Sequence, residues 1–594
     1  MSFFDVLSLA GGLALFLYGM HLLGEGLSNA SGGRMESILE KLTNNPVKAV
    51  LVGAGVTAVI QSSSATTVMV VGFVNSGIMK LQQAVGIIMG ANIGTTMTAW
   101  ILSLAGIESD SFFIKLLKPS SFSPVLALIG VFIIMLSKKE KQKNIATIML
   151  GFAILMFGMD TMSAAVRPLA QVPEFTGILT RFTNPVLGVL AGMVLTAIIQ
   201  SSSASVGILQ ALCMTGSISY QIAVPIIMGQ NIGTCVTAMI SGIGANKNAR
   251  RAALVHLYFN IIGTVVFMIG FYALYAIFRF PFVQEAATPA GIAVVHSTFN
   301  VIATLILMPF SKGLVKLATL TIRDEAGQTP DGKKEEPRES ELDLLDVRFL
   351  DSPSFAVDQS KRAAVRMAQI AENAVNLSLE LLEGYDPEKA GEVERLEKLA
   401  DTYEDELGTY LVKLSSRNLL ENDSHVLSEI LHCINDFERI SDHALHIRER
   451  AGELFEKKLE FSDKAKKELK VMEDAVREIL HLTVESFAKE DLAKCIQVEP
   501  LEEVIDDLDL EIKKRHVKRL QKGKCTIELG FILQDLTADL ERISDHCSNV
   551  AVCLLEVSED EYETHAYLGE VKKADNLDFQ GKVMVYRKKY VLPE

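Results

Sequence analysis

Two tetrads of polar residues, Gln61-Ser62-Ser63-Ser64 and Gln200-Ser201-Ser202-Ser203, interrupt runs that are otherwise apolar. Four amide and hydroxyl side chains in a row are costly in a bilayer unless they are partnered or used. No charged residue lies between Lys48 and Lys80, between Lys80 and Glu108, or between Arg181 and Lys247. Any site built here has only Gln, Ser, Thr, Asn and backbone groups as ligands. Ser64 or Ser203 can cap a half-helix whose free N–H groups and positive dipole end face an anion. Carbonyl ends of half-helices, with Ser, Thr and Asn oxygens, suit a hard and weakly held cation such as Na⁺. An anion held without Arg or Lys needs its charge offset. A co-bound cation does that, and couples the two fluxes.

The tetrads belong to a repeat. Residues 45–101 align with 184–240 without gaps at an offset of 139, and about half of the positions are identical. Asn45-Pro46 matches Asn184-Pro185, and Asn92-Ile93-Gly94-Thr95 matches Asn231-Ile232-Gly233-Thr234. The register extends back to Gly12 against Gly151 and Gly19 against Gly158. Isolated Ser or Thr in membrane helices bonds its own preceding turn or glues helices together. A repeated tetrad paired with a repeated Asn-Ile-Gly-Thr asks for more, so Asn92, Thr95, Asn231 and Thr234 join the tetrads as candidate ligands. Met89 and Met228 read as packing, His21 and Asp160 as membrane-segment groups near helix ends, and His256 as interfacial.

The elements that position these residues follow from hydropathy and charge. Of 594 residues, 49% are apolar. Residues 1–320 hold 18 Lys and Arg against 10 Asp and Glu, which leaves 39 of the 57 basic and 62 of the 72 acidic residues beyond 320. An apolar, slightly basic half precedes an acidic one, the pattern of a membrane domain followed by a soluble domain. The acidity excludes a nucleic-acid-binding face. Seven cysteines without C-x-x-C spacing suit a reducing compartment, and Met1–Leu27 reads as a retained membrane segment.

Apolar spans are expected at about 3–27, 81–105, 122–137, 145–166, 220–244, 252–278 and 290–310, with broken hairpins at 49–79 and 186–217. Placing Lys138, Lys139, Lys141 and Lys143 inside puts 13 basic residues inside and 5 outside. That topology makes the membrane multi-pass, the acidic half cytoplasmic and the repeats (about 5–137 and 144–310) inverted, with sites at the repeat interface.

At these residues the chain resembles the type II sodium–phosphate cotransporter family, over about residues 3–320. The resemblance implies Na⁺ as coupling ion, inorganic phosphate as substrate and uptake of phosphate. It implies that Gln61, Ser62, Ser63, Ser64, Gln200, Ser201, Ser202 and Ser203 line the two sites.

Residues 321–352 read as a charged linker. From about 353 to 556 apolar residues recur at helical spacing, with breaks near Gly384, Asn422, Ser462, Glu490 and Gly523 that predict six helices in two three-helix bundles. This half is duplicated too: Glu438-Arg439-Ile440-Ser441-Asp442-His443 matches Glu541-Arg542-Ile543-Ser544-Asp545-His546. Each copy has two Glu-x-x-x-Asp pairs, Glu397/Asp401 with Glu438/Asp442 and Glu502/Asp506 with Glu541/Asp545. Four-residue spacing puts both carboxylates on one helix face. One such pair is usually a solvated face. Four in duplicated helices point to a metal with oxygen ligands, such as Mg²⁺, Mn²⁺ or iron. His443 and His546 read as neighbours of that metal or as helix-face histidines. The duplicated motif resembles the PhoU family of phosphate-signalling proteins, which implies metal clusters, a regulatory role and no catalytic reaction. The tail, 557–594, holds one predicted strand at Gly581–Tyr586.

The fold class expected is all-α: inverted membrane repeats with broken-helix hairpins, then a soluble PhoU-like domain. The leading functional expectation is a Na⁺-driven phosphate symporter in the cell membrane with a cytoplasmic regulatory domain, contacting membrane lipid and either a homo-oligomeric copy or a signalling partner. The alternatives are a phosphate-sensing signalling protein without net transport, or a carrier of another oxyanion.

Overall fold

The computed structural model describes residues 3–31, 39, 45–106, 119–168, 172, 181–323, 342–559 and 577–593. It divides into two compact units, Met1–Arg338 and Glu339–Glu594. Among the described residues the chain is helical, with one isolated bridge between Ser219 and Ala286.

The first unit contains α1 (Phe3–Ser31), α2 (Pro46–Ile60), α3 (Ser63–Asn75), α4 (Leu81–Ser103), α5 (Pro119–Leu136), α6 (Glu140–Val166), α7 (Pro185–Ile199), α8 (Ser202–Cys213), α9 (Tyr220–Gly233), α10 (Cys235–Ser241), α11 (Lys247–Phe278), α12 (Pro289–Leu307) and α13 (Ser311–Thr321). Among its described residues six helical stretches are long and apolar enough to cross a membrane. Large apolar side chains such as Leu128, Phe132, Ile269 and Ile277 are exposed on α5 and α11, as lipid-facing surfaces require. Lys115 and Lys118 of the topology argument, and Arg34 and Lys41, lie outside the described residues.

The repeat is visible in the packing. A Cβ placed on Gly12 would lie 2.8 Å from Met162 N, one on Gly19 2.2 Å from Leu155 N, and one on Gly26 2.9 Å from Ile148 N. Each step of seven up α1 is a step of seven down α6, so these repeat mates run antiparallel, backbone against backbone. The contacts are reciprocal: Gly19 approaches the carbonyl of Gly151, and Gly158 that of Gly12, each with a Cβ-to-oxygen distance of 2.8 Å. An antiparallel pair of corresponding helices is what inverted repeats produce.

The second unit contains α14 (Pro353–Glu383), α15 (Pro387–Ser415), α16 (Glu421–Glu456), α17 (Asp463–Lys489), α18 (Leu492–Gln521), α19 (Ile527–Glu559) and α20 (Leu577–Lys589). The first six are the helices expected from the breaks. Two of their starts are capped by side chains at the expected breaks: Asp386 Oδ1 accepts from Glu388 N at 2.9 Å, and Ser462 Oγ from Ala465 N at 3.4 Å. The two sequence copies, three helices each, are α14–α16 and α17–α19. The expected strand at Gly581–Tyr586 is instead the middle of helix α20. Phe579, Val583 and Tyr586 are buried at helical spacing, and Arg587 pairs with Glu503 and Asp507 of α18 at 3.3 and 2.8 Å. Tertiary burial at a 3.6 period overrides the β-propensity of Val-Met-Val-Tyr.

Candidate functional site

Each hairpin is built the same way. Asn45 and Asn184 cap the first helix, with Oδ1 accepting from Val47 N at 2.9 Å and Val186 N at 3.0 Å, and proline follows at the first helical position. The helix ends at Gln61 or Gln200, both with φ 59 and ψ 19, a left-handed conformation that non-glycine residues rarely adopt. One such residue reverses the chain, so the next helix restarts two residues later. Ser62 and Ser201 are therefore the caps, their hydroxyls accepting from Ala65 N at 3.1 Å and Ala204 N at 3.2 Å. This corrects the expectation that Ser64 and Ser203 cap; they stand in the first turn. The first i→i−4 bonds of the second half-helices are Thr66 N to Ser62 O and Ser205 N to Ser201 O. The N–H groups of Ser63, Ser64, Ser202 and Ser203 precede them and are left for another acceptor.

A buried bond pins each hairpin: Thr57 Oγ1 to Thr66 Oγ1 at 3.0 Å, and Thr196 Oγ1 to Ser205 Oγ at 2.8 Å. The two tips meet. Ser64 Oγ donates to the Gln200 carbonyl at 3.5 Å. The glutamines differ. Gln61 is buried, accepts from Thr98 Oγ1 at 2.8 Å and donates to Ala58 O, while Gln200 is exposed and Thr237, the counterpart of Thr98, bonds Thr234 O instead.

Glycines set the distance to Asn-Ile-Gly-Thr. A Cβ on Gly90 would lie 2.0 Å from Val50 O, and one on Gly229 1.9 Å from Val189 O. Gly94 and Gly233, four residues on, would each meet a carbonyl at 2.5 Å, those of Ala54 and Met193. Small residues at this spacing let α4 lie directly on α2, and α9 on α7. That places Asn92 and Asn231 beside the hairpins, both buried.

Their side chains are engaged by groups that motif reading missed. His256 Nε2 lies 3.4 Å from Asn92 Oδ1, and Asn92 Nδ2 donates to Asn260 Oδ1 at 3.3 Å. His296 Nε2 lies 3.4 Å from Asn231 Oδ1, and Asn231 Nδ2 donates to Ile227 O at 3.0 Å. His256/Asn260 on α11 and His296/Asn300 on α12 are the same His-x-x-x-Asn pattern on successive helices, a signal legible in the sequence. His256 is fully buried rather than interfacial. Nδ1 of both histidines is buried and has no hydrogen-bond partner among the described residues. Thr95 and Thr234 bond the carbonyls of Ala91 and Gln230, both at 3.0 Å. Met89 and Met228 are core packing, and His21 is an exposed neighbour of Glu25.

In the second unit three of the eight expected carboxylates come together between α18 and α19. Oxygens of Glu502, Asp506 and Asp545 lie within 4.8 Å of one another, a donor set that fits a hard cation. In the first copy burial raises the Glu397 carboxyl, helped by Asp442 and Asp401. Burial, with Asp442 next, pushes Glu438 up to about 7. Burial and then Asp545 raise Glu541. Arg439 and Arg542 reach into the two clusters, 3.2 Å from Asp442 and Asp545.

The profile of the Na⁺/Pi-cotransporter family matches residues 15–164 and 154–284, and that of the PhoU domain matches 364–451 and 469–554. A Bacillus subtilis protein, YqeW, is 30% identical over 313 residues, 52% of this chain and 96% of its own length. The chain belongs to the Na⁺/Pi-cotransporter family. It is a multi-pass membrane protein of that family with C-terminal PhoU domains. The Salmonella typhimurium protein YjbB, provisionally named an inorganic phosphate export protein, is 27% identical over 574 residues, 95% of this chain and 99% of its own. The Thermotoga maritima PhoU homolog 1, named an accessory protein of a phosphate-specific transport system, is 26% identical over 186 residues, 31% of this chain and 79% of its own.

Proposed function

We propose that the membrane unit moves inorganic phosphate across the cell membrane coupled to Na⁺, in the direction of uptake, and that the PhoU unit regulates it from the cytoplasm. The observation that carries this reading is the meeting of two helix N-termini at the twin Gln-Ser-Ser-Ser tips. Main-chain N–H groups and serine hydroxyls from both repeats converge on one region without a charged side chain in either tetrad. Phosphate accepts from those donors. Na⁺ offsets its charge and takes oxygens of Gln, Ser, Thr and main-chain carbonyls at the ends of α2 and α7. Ser62 and Ser201 hold the half-helices in place; Ser63, Ser64, Ser202 and Ser203 present donors. Asn92, Thr95, Asn231 and Thr234 support the tips through the packing of α4 and α9. The basic-residue count supports the cytoplasmic placement of the second unit. There Glu397, Asp401, Glu438 and Asp442, with Glu502, Asp506, Glu541 and Asp545, are the proposed ligands of a hard cation, which would neutralise their mutual repulsion.

Radiolabelled phosphate uptake into proteoliposomes tests the reading, with Na⁺, Li⁺, K⁺ or a pH gradient as the only driving force. Uptake should require the Na⁺ gradient. Equal accumulation under all four gradients, or none under any, would sink Na⁺ coupling. A second reading, efflux, is favoured by the name of a relative that is similar over 95% of the chain. Vesicles preloaded with phosphate distinguish it: efflux driven against a phosphate gradient, without uptake under inward Na⁺, would make export the function.

A further inference from the structure

The two copies in the PhoU unit face each other through α16 and α19. His443 Nδ1 lies 2.9 Å from Asp539 Oδ1, and its counterpart His546 Nδ1 lies 2.8 Å from Asp436 Oδ1. The imidazole rings sit side by side, with centroids 5.8 Å apart and planes tilted by 33°. Up to this point the halves are equivalent. One position breaks the equivalence. On α19, Asn549 donates its amide to Asp436 Oδ1 at 3.1 Å. The corresponding residue on α16 is His446, whose Nδ1 lies 3.3 Å from Asp539 Oδ1.

The Asp436 half is complete as a hydrogen-bond network. An imidazole N–H and an amide N–H, both donors, share one carboxylate oxygen. The Asp539 half aims two imidazole nitrogens at one carboxylate oxygen. Each of those nitrogens is as able to donate an electron pair as a proton. The nitrogens of His443 and His446 and an oxygen of Asp539 all lie within 4.8 Å of one another. Ligands at about 2.0–2.1 Å around a tetrahedral ion are separated by roughly 3.3 Å. The 2.9 and 3.3 Å seen here are close to that spacing. Asp539 and His443 are mostly buried, while His446 is half exposed and leaves an open side. His443 is turned about 100° around α16 from Asp442, while His446, four residues beyond Asp442, stands one turn further along the same stripe.

We propose that His443, His446 and Asp539 form a transition-metal site, selective for Zn²⁺-like ions, on the seam between the two bundles. It is distinct from the oxygen-only carboxylate clusters by donor chemistry: two imidazoles and one carboxylate suit a borderline ion, with the fourth position open to water. A metal there ties α16 to α19, and so joins the two copies.

The pseudo-symmetric half supplies the control. Full-length protein in detergent micelles, stripped with a chelator, is titrated with Co²⁺ and then Zn²⁺. A four-coordinate nitrogen-bearing site gives Co²⁺ a strong visible ligand-field band, and octahedral oxygen sites give a weak one. One equivalent of strong band, displaced by Zn²⁺, is the expected result for the natural chain. His446→Asn makes the two halves alike and should abolish the band. Asn549→His makes them alike in the other sense and should raise it to about two equivalents. Circular dichroism checks that both variants remain helical. A natural chain without the band, a band that survives His446→Asn, or an Asn549→His variant with no added equivalent would each overturn the proposal.

Discussion

The hydroxyl of Ser64 lies 3.5 Å from the main-chain carbonyl of Gln200, so the tips of the two hairpins touch across 136 residues of sequence. The contact joins the first turn of one half-helix to the residue that ends the preceding helix in the other repeat. It makes the two tetrads one structure rather than two copies of a motif.

Capping and ligand presentation fall on adjacent serines, which makes them separable. Ser62→Ala and Ser201→Ala remove the caps and should each lower stability by about 1 kcal/mol. Ser63→Ala and Ser202→Ala should leave the melting midpoint unchanged and lower the transport rate by about tenfold or more, ~1.4 kcal/mol of barrier. Thermal unfolding and phosphate flux in the same vesicle preparation check this. Unchanged flux in both Ser63→Ala and Ser202→Ala would remove the tips from the site.

The close approach of α4 to α2, and of α9 to α7, leaves no space for a methyl group. Gly90→Ala and Gly229→Ala would set a Cβ 2.0 and 1.9 Å from main-chain oxygens, which cannot swing aside. Each should lose folded membrane protein, read as aggregated material on size-exclusion chromatography. Gly55→Ala, where the added carbon meets nothing within 4 Å, should be neutral and is the control.

His256 and Asn92 should behave as one unit, and His296 and Asn231 as another. Truncating one member leaves a buried polar atom unpaired, at about 1–3 kcal/mol. Double-mutant cycles on stability should give a coupling of about 0.5–3 kcal/mol within each pair, and about zero for His256→Ala with Asn231→Ala. Additive effects within the pairs would mean that the histidines do not hold the asparagines.

Glu473 offers a pH test away from the metal candidates. Burial pushes its carboxyl up to about 7, from an ordinary 4.5, against the opposing pull of Lys470. The native state therefore holds a proton that the unfolded chain has released between those values. The stability linked to that proton is full below about 4.5 and lost as pH rises through about 7. Glu473→Gln should be neutral at low pH and should stabilise the chain near pH 8, by at most roughly 3 kcal/mol. Unfolding midpoints across the range check it. An equal shift at both ends would refute the linkage.

The architecture was largely legible because it is written twice. The offset of 139 located both hairpins, and the Asn-Pro starts located their first helices. The chain reversal was implied, but which serine caps was not, since it depends on a single left-handed residue at Gln61 and Gln200. His256 read as interfacial from the edge of an apolar run. The helix begins at Lys247, nine residues earlier, which carries His256 about 14 Å along the axis. His296 went unread because it pairs with Asn231 only in three dimensions. The tail helix was hidden by β-branched residues whose fate is decided by burial against α18.

The pairing of α1 with α6 has the symmetry of a subunit interface. Gly19 meets the position equivalent to Gly12, and the equivalent of Gly19 meets Gly12. Such mutual exchange is the mark of an isologous interface between identical subunits. The seam inside this single chain has the form of a homodimer contact, with the two halves of the chain related as two antiparallel copies would be. The symmetry of that seam is not carried to the tips, where Gln61 is sheltered and Gln200 is exposed.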